Sequence, residues 1–337
     1  MKKRIWFNRW FNTAYHFINL IKNNDEGTQF EVFGTHPNIN SAVLAACDYA
    51  ESEPTICGKD YVEYCISFCK KHKIDIFVPK NQMLYISEYI KEFHNIGTLV
   101  LASNNPELLR TINNKPKFYD LCKRHNIVEL PQYYVVNTAD EFIKAYKALL
   151  NEGHMVCIKP VSTEGGFEFR VIDDESDRLG RLFGELSYYA TSDEVYKVLS
   201  LNDKFPDLMV SEYLDGHEYS IDCLAYERTL FAAVPRKKLE GRVRLLEHVP
   251  ELHEIARKIS EEYKLPYVFN IQVKYKNGVP KLLEINPRMS GGLHMSCLSG
   301  VNFPYLAIKL LEGKTIEVPE PKFGIKVTQI DKDIILA

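Results

Sequence analysis

The sequence predicts an α/β protein of more than one domain, and three observations carry that reading. Residues 1 to about 108 alternate strand and helix. Phe269 to Asn286 reads as a hairpin whose first strand, Phe269 to Tyr275, alternates apolar and polar residues strictly. The chain has 337 residues, more than one typical domain needs.

The N-terminal elements follow in order. Arg4 to Phe7 is a first strand, Thr13 to Lys22 a helix, Phe30 to Gly34 a strand, and Asn40 to Asp48 opens another helix. Tyr61 to His72 is amphipathic, with Val62, Cys65, Ile66 and Cys69 inward. Ile74 to Pro79 is a buried strand, Met83 to Phe93 a helix, and Thr98 to Ala102 a strand. This βαβ rhythm predicts a parallel sheet covered on both faces. No G-x-G-x-x-G follows the first strand, so a dinucleotide site there is unsupported. The loops near Asn8, Gly34-Thr35 and Pro79-Lys80 lie at the carboxyl edge, where ligands tend to bind.

A new unit starts at Asn113 to Lys117, where an asparagine before proline signals a helix over Lys117 to His125. Gln132 to Val136 is a strand, and Thr138 caps a helix from Ala139 to Leu150. Met155 to Ile172 reads strand, loop, strand. Its loop, Ser162 to Gly166, carries hydroxyls and glycines after Lys159 and can wrap phosphates, though it is not a P-loop. A plain two-glycine turn is the bland alternative. Leu208 to Ala225 is two strands split by Asp215-Gly216. Phe231 to Pro235 runs into the basic cluster Arg236-Lys237-Lys238, either a solvated loop or an anion site. Pro250 to Tyr263 is a helix. Asn302 caps a helix from Pro304 to Glu312, Gly313 ends it, and Gly324 to Leu336 is a last strand.

Composition narrows the function. An apolar fraction of 45% is ordinary for a globular chain. A net charge of −3 gives no general pull toward nucleic acid or anionic membrane, and no apolar run is long enough to span a bilayer. The basic N-terminus is interrupted by Asn8, Arg9 and Asn12, unlike a signal peptide. Eight cysteines without zinc spacing read as reduced thiols, and the expected compartment is the cytoplasm.

The chemistry concentrates in the hairpin. Phe269, Ile271, Val273 and Tyr275 share one strand face, Asn277-Gly278 is a turn signal, and Lys281 to Asn286 is the return strand. Glu284 and Asn286, two apart, leave the same face. Such polar groups inside an apolar strand are costly unless paired, and a hard cation such as Mg²⁺ would pair them. Arg288 follows and can neutralise a phosphate or carboxylate. A strict two-residue turn sets Gln272 opposite Leu283, facing away from Glu284. A bulge or longer turn sets Gln272 opposite Glu284 and Asn270 opposite Asn286. A shared metal site needs the second register.

Lys115, Lys159 with Gly165-Gly166, Glu212-Tyr213-Leu214 with Glu218, Gln272, and Glu284-x-Asn286-x-Arg288 stand in an order that resembles the ATP-grasp superfamily. The chain is similar to single-module ligases that resemble half of the carbamoyl-phosphate synthase large chain. E-I-N-P-R-x-S-G-G, at Glu284 to Gly292, is the most specific piece. The resemblance implies a Rossmann-like parallel-sheet domain at 1–108 and a two-lobed ATP-grasp module at 109–337. Within that module a mobile lid covers about 131–210 and a core lobe about 211–337.

It also implies roles. Lys115 and Lys159 contact ATP phosphates, and Ser162 to Gly166 cover them. Glu212, Tyr213, Leu214 and Leu283 border the adenine, and Glu218 holds the ribose. Gln272, Glu284 and Asn286 bind two Mg²⁺, which Mn²⁺ can replace. Arg288 steadies the transferred phosphoryl group, with Lys159 and Asn286 beside it in catalysis. Arg236, Lys238, Arg288, Ser290 and Gly291 face the substrate. The implied activity is ATP-dependent joining of a small-molecule carboxylate to an amine or thiol through an acyl phosphate, with no nucleic-acid or membrane partner. A homodimer is compatible with it. Gln272 departs from the acid usual at the first metal position, and a single module departs from carbamoyl phosphate synthesis. Carboxylase or kinase chemistry on the same fold and a non-catalytic nucleotide-binding module are the competing readings.

Overall fold

The structure is a computed structural model that describes residues 2–161, 169–177, 179–180, 188–331 and 333–334. Two compact units emerge. Unit 1 comprises Met1–Arg110, Glu218–Gln272 and Glu284–Ala337; unit 2 comprises Thr111–His217 and Val273–Leu283.

Unit 1 opens with five parallel strands, β1 (Lys3–Asn8), β2 (Phe30–His36), β3 (Tyr49–Ser52), β4 (Ile76–Pro79) and β5 (Leu99–Val100), in the order β3-β2-β1-β4-β5. Successive residues of β1 are buried on opposite faces, as a sheet covered on both sides requires. Ile5 and Phe7 pack with Phe17, Ile18 and Ile21 of α1 (Ala14–Lys22). Trp6 points the other way, stacked 4.3 Å from Phe68 and 4.2 Å from Phe77, among residues of α2 (Gly58–His72).

Several expectations for this part are corrected. The helix expected from Asn40 is a 3₁₀ turn at Ala42–Ala46, and the short edge strand β3 follows it. The helix expected over Met83 to Phe93 breaks at Tyr89 into α3 (Met83–Glu88) and α4 (Ile90–Asn95). Val62, Cys65 and Cys69 of α2 face the core as expected, Ile66 packs against it partly buried, and Phe68 joins them. An unexpected helix, α5, spans Pro106–Ile112.

The second sheet of unit 1 runs β15-β14-β11-β12-β13-β16. Its members are β11 (Glu218–Tyr226), β12 (Thr229–Lys238), β13 (Arg244–Leu246), β14 (Tyr267–Lys276), β15 (Val279–Asn286) and β16 (Ile325–Val327). The distal half of the β14–β15 hairpin, Val273–Leu283, clusters with unit 2. Leu224 and Val234 of this sheet share one core with α1 and with Met289, Leu293 and Phe303 of the segment after β15. The last strand is therefore only Ile325–Val327, and Leu336 lies outside the described residues.

Unit 2 holds β6 (Tyr133–Val136), β7 (Val156–Pro160), β8 (Arg170–Ile172), β9 (Tyr189–Ala190) and β10 (Leu208–Glu212), ordered β6-β10-β7-β8-β9. Two of its helices are capped where the sequence signals a start, although the first begins at Lys115, two residues before the expected Lys117. Asn114 caps α6 (Lys115–Arg124) by accepting from the Lys117 N–H. Thr138 caps α7 (Ala139–Asn151) by accepting from the Glu141 N–H. Phe142, Leu149, Val156 and Val210 form the core of this unit.

Candidate functional site

Unit 2 gathers cations around one buried carboxylate. Glu212 ends β10 with its side chain shut off from solvent. Its Oε1 accepts the Gln132 N–H at 2.9 Å and is ion-paired with Lys281. Its Oε2 lies 3.1 Å from Lys276 Nζ and 3.6 Å from His154 Nδ1. Burial pushes the Glu212 carboxyl up, but Lys281, the Gln132 N–H and Lys276 together outweigh it, so the net shift is downward. The backbone beyond Glu212 is fixed in turn. The Tyr213 N–H donates to the Met155 carbonyl at 2.7 Å, and Lys274 Nζ sits 4.5 Å from the Tyr213 ring centroid. Leu214 is buried.

Lys159 lies on β7, opposite Met209, with its ammonium 5.9 Å from the ring centroid of Tyr119. Lys115 opens α6 and is itself buried. Ser162, Gly165 and Gly166 fall outside the described residues. None of His154, Lys274, Lys276 and Lys281 is signalled as a cluster by the sequence. Their convergence on Glu212 and Tyr213 comes from the hairpin tip folding with β10, a long-range pairing.

The hairpin turns through two residues, Asn277 at φ 53° and Gly278 at φ 78°, between Lys276 and Val279. Both left-handed angles mark the tight turn that suits twisted strands. The strict turn is therefore present, and a register that sets Gln272 opposite Glu284 needs one extra residue in β15. The Tyr119 hydroxyl lies 3.0 Å from the Leu282 carbonyl and 2.8 Å from the Leu283 carbonyl. Successive carbonyls of a regular strand point to opposite sides, so one hydroxyl serving both marks an irregularity at Leu282–Leu283. Burial loses phase at the same place: Leu282 and Ile285, three apart, are both buried, while Leu283 and Glu284 are half-buried.

Past that point, in unit 1, Glu284 and Asn286 do share a face, because Asn286 Nδ2 donates to Glu284 Oε1 at 3.1 Å. Gln272 is half-buried on β14. One carboxylate and two carboxamides give an all-oxygen donor set, suited to a hard cation and poor for a soft one. Among the described residues, no three His, Cys, Asp or Glu side chains stand close enough to hold a metal ion by themselves. Arg288 follows, its guanidinium 5.7 Å from the Phe11 ring centroid and donating to the Met289 carbonyl at 3.2 Å.

The basic cluster is split by the fold. Arg236, Lys237 and Lys238 are the last residues of β12, not a solvated loop. Arg236 is buried. Its Nη2 lies 3.2 Å from Asp222 Oδ2 and 3.3 Å from Ser290 Oγ, and its Nε lies 3.3 Å from Ser296 Oγ. Asp222 also accepts from Asn270 Nδ2 at 2.8 Å and from the Ser296 hydroxyl at 2.6 Å. A Cβ at Gly292 would fall inside the Arg236 guanidinium, so a larger residue there would have to push that group off Asp222. Lys238 stays exposed, 3.5 Å from Glu218. The residue expected at the ribose and one expected at the substrate thus meet each other. Gly291 is exposed and Ser290 buried.

The family model described as ATP-grasp in the biosynthetic pathway with Ter operon matches residues 204–333. The carbamoyl phosphate synthase large chain of Clostridium acetobutylicum is 21% identical over 314 residues, covering 87% of this chain and 27% of that protein. The chain thus spans about a quarter of the length of that relative. Among solved structures, the ADP complex of N5-carboxyaminoimidazole ribonucleotide synthetase aligns with a TM-score of 0.69 at 12% identity, covering 96% of this chain and 80% of that one. L-amino acid ligase from Bacillus licheniformis aligns with a TM-score of 0.62 at 13% identity, covering 92% and 74%.

Proposed function

Because the chain belongs to the ATP-grasp superfamily, we propose that it is an ATP-dependent ligase that joins a small-molecule carboxylate to an amine or thiol. The γ-phosphoryl of ATP passes to the carboxylate, and the nucleophile then displaces phosphate from the acyl phosphate. ADP and phosphate leave. The observation that carries this reading is the oxygen pair of Glu284 and Asn286 on one strand face, with Arg288 two residues on.

ATP and a carboxylate repel one another, so the reaction is mostly positioning and neutralisation. Lys115 and Lys159 hold phosphates, and the backbone of Glu212 to Leu214 holds the adenine. The ion pairs of the Glu212 side chain fix that backbone and leave its carboxylate no part in the chemistry. Gln272, Glu284 and Asn286 would hold two Mg²⁺ ions, whose charge offsets that of the triphosphate when bound. The irregularity at Leu282–Leu283 supports this set: one extra residue there shifts Glu284 from opposite Ile271 to opposite Gln272. Arg288 faces the transferring group, with Ser290 and Arg236 behind it.

Carboxylation is a second reading, favoured by the likeness to N5-carboxyaminoimidazole ribonucleotide synthetase. Phosphate release from Mg-ATP, measured against pooled carboxylates and amines and followed by mass spectrometry, separates the two. Ligation predicts release that needs a carboxylate and an amine together. Bicarbonate alone sustaining release would favour carboxylation.

A further inference from the structure

Unit 1 contains a second polar cluster that the phosphoryl-transfer chemistry does not use. His294 sits on the one-turn helix Leu293–Ser296, six residues after Arg288. Both of its ring nitrogens are shut off from solvent, and the Gly291 backbone stands beside the ring as a hydrogen-bonding group for one of them. Its ring stacks on that of His16, at 4.5 Å between centroids and 21° between planes. His16 comes from the first turn of α1 and is itself exposed. Thr13, the residue that opens α1, has a buried hydroxyl with no partner and caps nothing. The open side of the cluster is over Gly291, which is exposed; a Cβ built there would meet only Thr13 Oγ1, at 3.9 Å.

Buried polar atoms left unpaired are costly, and a native structure that keeps several together calls for a reason. The charged and titratable groups around His294 say what would satisfy it. His16 faces it from α1, Arg236 from β12 and Asp222 from β11. Burial, His16 and Arg236 hold its pKa down at about 4, against smaller upward pulls from the Gly291 backbone and Asp222. The imidazole is therefore neutral at neutral pH. It offers a lone pair and attracts no anion, so its complement is a group with protons to give.

We propose that His294, with Thr13 and His16, receives the amine nucleophile and accepts its proton. The proposal rests on the ligase reading above. The amine nitrogen forms its bond to the acyl carbon, and the carbon–oxygen bond to phosphate breaks, phosphate leaving with the electron pair. The proton lost by nitrogen goes to the free imidazole nitrogen and passes from it to the departing phosphate. His16 covers one face of the ring, and the Thr13 hydroxyl accepts a second N–H of the amine. Arg236, fixed against Gly292, keeps a second positive charge nearby and so disfavours the protonated, unreactive amine.

Hydroxylamine tests this, because it is largely unprotonated at neutral pH and attacks acyl phosphates without a base. Wild type, His294→Gln and His294→Ala are given Mg-ATP, the carboxylate pools that support phosphate release, and either hydroxylamine or amine pools. Both variants should lose amide formation by about 10²-fold or more at neutral pH, keep hydroxamate formation near the wild-type rate, and recover amide formation as pH rises. Added imidazole should restore His294→Ala in part. Equal loss of both products would make His294 structural, and no loss of either would remove it from the reaction; each overturns the proposal. Absence of hydroxamate with wild type would instead overturn the acyl-phosphate reading and this proposal with it.

Discussion

The Glu212 cluster in unit 2 and the His294 cluster in unit 1 are both polar, both buried and built from residues far apart in sequence, yet they are opposites. Glu212 is saturated with charge rather than with hydrogen bonds: the Gln132 N–H and Lys281 serve its Oε1, while Oε2 meets Lys276 at 3.1 Å and His154 at 3.6 Å as ion-pair neighbours. His294 and Thr13 are starved by comparison: the Thr13 hydroxyl has no hydrogen-bond partner, and the imidazole has at most the Gly291 backbone for one of its two shut-off nitrogens. A saturated buried charge holds backbone in place; a starved buried dipole waits for a ligand. The Glu284–Asn286 pair belongs with neither, since Asn286 Nδ2 already donates to Glu284 Oε1 and the pair is proposed to hold a cation.

The largest effect should come from that pair. Glu284→Gln is expected to cut ATP turnover by ~10²–10³-fold or more while leaving the melting temperature within a degree or so of wild type. A large loss of stability would move Glu284 to the structural class. Glu212→Ala should show the reverse. It strands Lys276 and Lys281, so chemical denaturation should report a loss of about 3 kcal/mol, at the low end for a broken buried pair because both ammonium groups keep some contact with water.

Acidity separates the two clusters next. Glu212 has its carboxyl held below the ordinary 4.5, so its contribution is complete above that value and is lost as pH falls through the lower, folded one. His294 is held at about 4 against an ordinary 6.5. Between those values the unfolded chain binds the extra proton, so stability climbs with pH over that window and levels off above it. Subtracting the His294→Gln denaturation profile from wild type should isolate that slope. The smallest effect is Thr13→Val. Because the hydroxyl has no partner, stability should hold or rise by up to ~1 kcal/mol; a clear loss would reveal a bond and weaken the contrast.

Much of the fold was legible because its signals are local. Asn114, Thr138 and Asn302 each cap the helix their spacing predicts, and Asn277-Gly278 turns the hairpin as the dipeptide predicts. What stayed hidden depends on distant partners. β3 is an exposed edge strand whose only cue is its pairing with β2. The Arg236 cluster looks like a loop until Asp222, fourteen residues back, draws the guanidinium inside. The irregularity at Leu282–Leu283 is met by Tyr119 from α6. For the candidate site, the i, i+2 spacing made the Glu284–Asn286 face readable. Nothing in the sequence brings His16 to His294 or Lys281 to Glu212, because those contacts exist only once the sheets have formed.

Oxygen tracing tests the central claim most directly. A carboxylate pool that supports phosphate release is labelled with ¹⁸O in the carboxyl group and turned over with Mg-ATP and amine. Attack of the carboxylate on the γ-phosphoryl group, followed by displacement at the acyl carbon, must leave a labelled oxygen in the inorganic phosphate. Labelled phosphate, formed in step with ADP and amide, is the predicted result. Unlabelled phosphate accompanying amide formation would contradict it.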